Sequence, residues 1–241
     1  MAFWLTACAF APVKRHTYKV LEVLPHYTTS YTQGFFYHDG FFYESTGQYG
    51  RSLMAKVEMR TGQIVLSQSL DRTFFGEGTC LLNGRIYQLT WEENTCFVYD
   101  AKTFKPLGRL RYATEGWGLT TDGKQLILSD GTSTLYFMQP DTMIPQRTVT
   151  VTLNGNPVDY LNELEYIEGE IWANIYTSDL IVRIDPKDGT VLGTLDLKNI
   201  LPASLRTSNT DVLNGIAYDP ATRSIWVTGK NWPKIYKIQV Q

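Results

Sequence analysis

Five stretches of the chain follow one pattern, and this repetition limits the fold more than any other feature. They span 33–44, 77–91, 117–130, 162–176 and 214–230. Each opens on a polar or aromatic residue followed by a small or acidic one. A short apolar run comes next, then a turn, then a second run rich in aromatic and β-branched residues. The turns are Asp39-Gly40, Asn83-Gly84, Asp122-Gly123 and Glu168-Gly169, with Asp219-Pro220 in the fifth stretch. Asn-Gly and Asp-Gly between apolar runs signal tight hairpins, because both central residues of such a turn need positive φ. A third run follows the hairpin, as in 97–100, 135–138 and 181–185, and a fourth appears in 64–66, 148–152 and 191–197. Four strands recurring every 40–50 residues or so are the mark of a β-propeller blade.

The predicted fold is therefore all-β: a five-bladed β-propeller with four antiparallel strands per blade. The fifth unit lacks its own fourth strand. The spare run over 17–23 can supply it and close the ring, which removes an exposed sheet edge. A β-sandwich is the alternative, but its strands would not recur with this phase. The chain divides into an N-terminal segment over 1–16 and a single propeller domain over 17–241.

With 43% hydrophobic and 19% charged residues, the chain can bury a substantial core and is not expected to be disordered. The formal net charge is −2 and no basic stripe appears, so nucleic acid is not an expected partner. His16, His26 and His38 have no paired spacing, and Cys8, Cys80 and Cys96 no C-x-x-C, so no protein-built zinc site is expected. Cys80 and Cys96 fall on strands with one strand between them, about 9–10 Å apart. That is too far for a disulfide, so both should be free, buried thiols.

The N-terminus carries Leu5-Thr6-Ala7-Cys8 after an apolar start. It is similar to the lipobox of a bacterial lipoprotein signal, and reads either as a truncated export signal in which Cys8 would carry the lipid or as a chance apolar end. A periplasmic or secreted location, anchored through Cys8, is the expectation. No segment reaches the roughly 20 apolar residues needed to span a bilayer.

In a propeller the inner strands line a central channel, and their first residues face one another at one end. Here those residues are Gln33, Glu77, Trp117, Asn162 and Asn214. The residues after the second strands form a further set: Thr46, Trp91, Asp130 or Gly131, Tyr176 and Lys230. Glu77 is the only carboxylate of the first set, and it sits between Gly76 and Gly78 after Phe74-Phe75. Desolvation there raises its pKa toward the range useful for proton transfer. Gln33 and Asn162 both donate and accept, which suits a primary carboxamide. Trp91 and Trp117 would wall the pocket, and Lys230 could stabilise an oxyanion. Other polar residues read as structural: Asn214 and Asp130 as turn formers, Glu44 and Arg51 as an ion pair. Trp172 and Trp226 read as core.

At these residues the chain resembles the plant-type and bacterial glutaminyl cyclases, or glutaminyl-peptide cyclotransferases. The matching motifs are Tyr31-Thr-Gln-Gly34, Phe42-Tyr-Glu-Ser-Thr-Gly47 with Tyr49-Gly-Arg-Ser52, Phe75-Gly-Glu-Gly78, Gly116-Trp-Gly118, Leu161-Asn-Glu-Leu-Glu-Tyr166, Trp172-Ala-Asn174, Asp211-Val-Leu-Asn-Gly215 and Val227-Thr-Gly-Lys230. They occur in order over nearly the whole chain. The resemblance implies a five-bladed propeller that converts N-terminal glutaminyl residues of peptides or proteins to pyroglutamate, releasing ammonia. It implies Glu77 as general acid/base, with Lys230 and Asn162 as further catalytic groups. Gln33, Phe75, Trp91, Trp117, Tyr176 and Tyr31 would bind substrate. Tyr176 and Tyr31 stand where plant members carry Trp and Phe. The implied catalysis needs no metal and no cofactor, and the expected state is a monomer. Two other readings compete: a non-catalytic propeller that binds peptides or glycans, and a metal-dependent propeller hydrolase such as a lactonase. The second needs several central carboxylates, whereas the first ring offers Glu77 alone.

Overall fold

The computed structural model describes residues 13–241; the Leu5-Thr6-Ala7-Cys8 stretch lies outside them. Blade 1 consists of Thr32–His38, Phe41–Thr46, Leu53–Glu58 and Ile64–Ser69, paired antiparallel in that order. Blade 2 is Gly76–Leu82, Arg85–Thr90, Thr95–Asp100 and Pro106–Arg111. Blade 3 is Leu119–Thr121, Leu126–Ser129, Thr134–Met138 and Pro145–Thr150. Blade 4 is Leu161–Ile167, Glu170–Ile175, Leu180–Ile184 and Val191–Asp196. Blade 5 is Leu213–Asp219, Ser224–Gly229 and Lys234–Val240, with Tyr18–Pro25 as its outermost strand.

The inner strand of each blade touches that of the next, and blade 5 returns to blade 1, so the ring is closed. Tyr18–Pro25 pairs antiparallel with Lys234–Val240, the closure that the spare N-terminal run predicts. Lys14–His16, just before it, adds a parallel fifth strand to blade 4 beside Val191–Asp196.

Turn chemistry sets the hairpins. Asp39-Gly40, Asn83-Gly84 and Glu168-Gly169 have both residues at positive φ, as a tight two-residue turn requires. Asp122-Gly123 opens a longer loop instead, in which Asp122 accepts from the backbone of Lys124 and Gln125.

The core is divided among the five seams between blades. Phe35, Phe42, Ala217 and Trp226 fill the seam between blades 5 and 1. Cys80, Leu89, Leu119 and Leu128 fill that between blades 2 and 3, and Trp172 lies in that between blades 4 and 5. Both tryptophans expected in the core are there, and Cys80 and Cys96 are free and buried.

The predicted Glu44–Arg51 ion pair does not form. Glu44 is buried in blade 1 and accepts from His26, Ser30 and Thr32. A buried carboxylate needs several donors at once, and an exposed Arg51 on the adjoining loop cannot supply them.

Candidate active site

Four of the five inner strands break register at one equivalent place. The shifts lie between Thr32 and Gly34, Gly76 and Thr79, Leu161 and Leu164, and Leu213 and Ile216. In each, the inner strand carries one residue more than its neighbour, which is a β-bulge. Bulges re-aim side chains. Gln33, Glu77, Asn162 and Asn214 are all bulge residues. Trp117 takes the equivalent place in blade 3, just before the short strand Leu119–Thr121.

Gly34, Gly78 and Gly118, which follow Gln33, Glu77 and Trp117, let the inner strands meet backbone to backbone. A Cβ on Gly78 would enter the Gly118–Leu119 backbone, and one on Gly118 would collide with the Asn162 carbonyl. That close approach brings the bulge residues of successive blades together at one end of the channel.

There they surround a cavity of about 270 Å³ lined by Tyr31, Gln33, Gln48, Phe75, Glu77, Trp91, Trp117, Asn162, Tyr176 and Lys230. Every residue singled out for catalysis or binding is on this wall. Asp130 shapes a turn, as expected, taking the Thr132 amide and hydroxyl and the Tyr136 hydroxyl. Two expectations fail. Thr46 is buried behind the wall, where its hydroxyl accepts from the Leu53 amide. Asn214, expected as a turn former, is instead a fully buried link between blades: its Nδ2 donates to the Thr32 carbonyl at 2.9 Å.

Glu77 is buried, and Gln33 Nε2 donates to its Oε1 at 2.9 Å. Burial pushes its carboxyl well above the ordinary carboxylate range. Lys230 opposes that rise, whereas Glu93 and Glu115 add to it. Burial likewise draws the Lys230 ammonium down, against the pull of Glu77 and Asp211. Lys230 Nζ stands 4.8 Å from the Tyr31 ring centre and 5.0 Å from that of Tyr176. Such cation–π contacts favour the charged form of a buried ammonium. Asn162 lines the cavity, and its Oδ1 is buried with no partner among the described residues.

The arrangement thus offers one buried proton carrier, one cation, amides of both polarities and a wall of rings. The protein family described as glutamine cyclotransferase matches residues 3–240. The chain belongs to the glutamine cyclotransferase family. It is 46% identical over 228 residues to the glutaminyl-peptide cyclotransferase of Arabidopsis thaliana, covering 92% of this chain and 71% of the relative. It is similar to the crystal structure of Myxococcus xanthus glutaminyl cyclase, with a TM-score of 0.88 and 34% identity. That match covers 95% of this chain and 99% of the other. The WD40 β-propeller domain of Doa1, at 9% identity and a TM-score of 0.52 over 85% of this chain and 62% of that one, shares the fold alone.

Several residues of the cyclotransferase site escape a reading of sequence. Gln48 reaches the cavity from a loop residue at φ 96°, held by the Ser52 hydroxyl that donates to its carbonyl. Glu163, beside Asn162, turns into the channel and accepts the Phe35 and Ile216 amides, tying blade 4 to blades 1 and 5. Burial, then the charge of Glu165, holds its carboxyl well above the usual range. Glu115 accepts from both wall indoles. Its place directly before the Gly116-Trp-Gly118 motif was the available signal.

Proposed function

We infer from the family and the pocket chemistry that the chain is a glutaminyl-peptide cyclotransferase. It converts N-terminal glutaminyl residues of peptides and proteins to pyroglutamate and releases ammonia. Nucleophile and electrophile belong to one residue, so the pocket must mainly fold the side chain into a ring-closing pose. In the proposed course the α-amine attacks the γ-carbonyl carbon, and a C–N bond forms. Glu77 accepts the proton that the amine loses. Lys230 faces the oxyanion of the tetrahedral intermediate, and the Asn162 carboxamide binds the substrate. Glu77 then returns the proton to the departing nitrogen, the second C–N bond breaks, and ammonia leaves. Gln33 orients Glu77, while Tyr31, Phe75, Trp91, Trp117 and Tyr176 wall the substrate.

The observation that carries these roles is the burial of Glu77 beside a single fixed donor. A carboxyl pushed above its ordinary range can both accept and donate near neutral pH. The test is an ammonia assay with a Gln-initiated dipeptide: wild type releases ammonia with or without chelator, and Glu77→Gln does not. If the variant bound the dipeptide and wild type released no ammonia, the non-catalytic binding reading would replace this one.

Among the described residues, no helix is long and apolar enough to cross a membrane. The Leu5-Thr6-Ala7-Cys8 stretch supports action outside the cytoplasm, periplasmic or secreted, with a lipid on Cys8 as anchor. Release of a Cys8→Ser variant from the membrane fraction is the check. The five interblade cores close within one chain, which supports a monomer.

A further inference from the structure

Five aromatic rings form a collar around the cavity. Tyr31 meets Phe75 edge to face at 6.3 Å, Phe75 meets Trp91 at 5.7 Å, and Trp117 meets Tyr176 at 5.4 Å. Ring contacts are missing at two places. Between Tyr176 and Tyr31 the gap is filled by the Lys230 ammonium, which stands against both rings. Between Trp91 and Trp117 it is filled by Glu115. One oxygen of that carboxylate, Oε2, accepts the Trp91 Nε1–H at 2.8 Å and the Trp117 Nε1–H at 3.0 Å.

We propose that Glu115 is a positioning residue that holds Trp91 and Trp117 as fixed facing walls of the substrate pocket. The proposal rests on the reading that this cavity is the active site. The two indoles come from different blades: Trp91 follows the second strand of blade 2, and Trp117 leads into blade 3. Among the described residues, the aromatic neighbour of Trp91 is Phe75. Trp117 lies against Gly131, where a Cβ would strike its ring, and against Tyr176. These contacts seat the ring faces but leave both N–H ends free to swing. A shared acceptor removes that freedom from both rings at once, and hydrogen bonds to an ionised acceptor are stronger than neutral ones. Ring closure depends on how often the substrate side chain is held folded, so a slack wall lowers the rate without closing the pocket.

The test is Glu115→Ala beside Glu115→Gln, with kinetics on a Gln-initiated dipeptide and near-ultraviolet circular dichroism of the indoles. Glu115 is exposed, so neither change disturbs the core. Glu115→Ala should lower kcat/KM about tenfold, more through kcat than KM, since small misplacements in a positioned site cost rate steeply. The indole bands should change with it. Glu115→Gln keeps a carbonyl acceptor and should restore both signals most of the way. Trp91→Phe/Trp117→Phe keeps two rings but removes both N–H donors, and in that background Glu115→Ala should do nothing more.

A full loss persisting there would overturn the proposal in favour of a direct charge effect. Wild-type kcat/KM and unchanged indole bands in Glu115→Ala would overturn it as well. The spectrum reports the bridge whether or not the cavity is catalytic. Full activity of Glu77→Gln would therefore refute the site assignment separately.

Discussion

The amide nitrogen of Gln33 lies 2.9 Å from Oε1 of Glu77 and donates to it. That bond occupies one carboxylate oxygen and leaves Oε2 for proton exchange. The amide is itself oriented, because Asn214 Nδ2 reaches Gln33 Oε1 at 3.4 Å while anchored on the Thr32 carbonyl. A half-turn of the amide would set its oxygen against Glu77, and two acceptors facing each other repel. Asn214 therefore decides which end of Gln33 the carboxyl meets. Asn214→Ala should lower kcat about tenfold, within the cost of a misplaced catalytic group, and leave KM nearly unchanged. An unchanged kcat would mean that Gln33 keeps its orientation unaided.

Glu77→Gln should reduce kcat by about 10²–10⁴-fold, the usual worth of a positioned acid/base. The same change should stabilise the fold at high pH. Burial raises the folded-state pKa of Glu77 above its ordinary value of 4.5. Such a group contributes stability fully below the unfolded value and loses it as pH rises through the folded one. At pH 8 the wild type therefore holds a carboxyl that folding disfavours in its charged form. Gln carries no such penalty and still accepts from Gln33. Thermal melts should show the variant level with wild type near pH 4 and above it at pH 8. Equal melting temperatures at pH 8 would contradict the raised pKa.

Lys230 acts on Glu77 through the opposite sign. Its charge pulls the Glu77 pKa down against burial. Lys230→Met should cost about 10²–10³-fold in kcat, as loss of an oxyanion donor does. It should also move the acid limb of the kcat profile to higher pH, because Glu77 then stays protonated longer. The alkaline limb reports Lys230 losing its proton, at a value that burial draws below the ordinary 10.5, and should vanish in the variant. Measuring both enzymes with one dipeptide cancels the substrate's own titration. An acid limb that stays in place would separate the two groups electrostatically.

The inner half of each blade was legible in sequence, and the outer half much less so. Xaa-Gly openings and Asn-Gly or Asp-Gly turns serve local backbone demands: close approach at Gly78 and Gly118, positive φ at Asn83-Gly84. Such demands leave marks at fixed spacing. The outermost strands of blades 1, 2, 3 and 5 face solvent on most of their length, so little alternation is imposed on them, whereas Val191–Asp196 of blade 4, paired on its outer side by Lys14–His16, does alternate. Pro106–Arg111 opens on a proline, contains Gly108 and exposes Leu107 by 55%, and nothing in its sequence marks a strand. In the site, residues of the repeat were found because equivalent positions point the same way. Glu115 and Gln48 arrive from loops with no counterpart in other blades. The role of Asn214 depends on a bulge, which adds a residue without changing the hydrophobic pattern. Arg51 is the nearer cation to Glu44 in sequence, but the partner, His26, comes from beyond the ring closure.

That partner allows a test of how the ring is locked. His26 follows the closing strand Tyr18–Pro25, and Glu44 lies in blade 1. Nε2 of His26 is 3.0 Å from Glu44 Oε1, and its Nδ1 is 2.7 Å from the Trp232 carbonyl in blade 5. Both neighbours are acceptors, so both ring nitrogens must carry hydrogen, and only the imidazolium does. Burial draws the His26 pKa down, yet the charge and hydrogen bond of Glu44 outweigh it and the net shift is upward. Burial raises Glu44 in turn, but His26 and the Thr32 and Ser30 hydroxyls bring it below its ordinary range. His26 contributes fully below its unfolded value of 6.5, and its contribution is lost as pH rises through the raised folded value. Glu44 contributes above 4.5 and is lost as pH falls through its lowered value. The lock is therefore strongest between those limits. Removing one partner of a buried pair strands the other, at a cost of about 3–5 kcal/mol. Glu44→Gln should lose that much in urea unfolding at pH 6 and progressively less as pH rises through the raised His26 value. A loss that does not change with pH would mean that His26 is already neutral at pH 6 and that the closure is held by hydrogen bonds without charge.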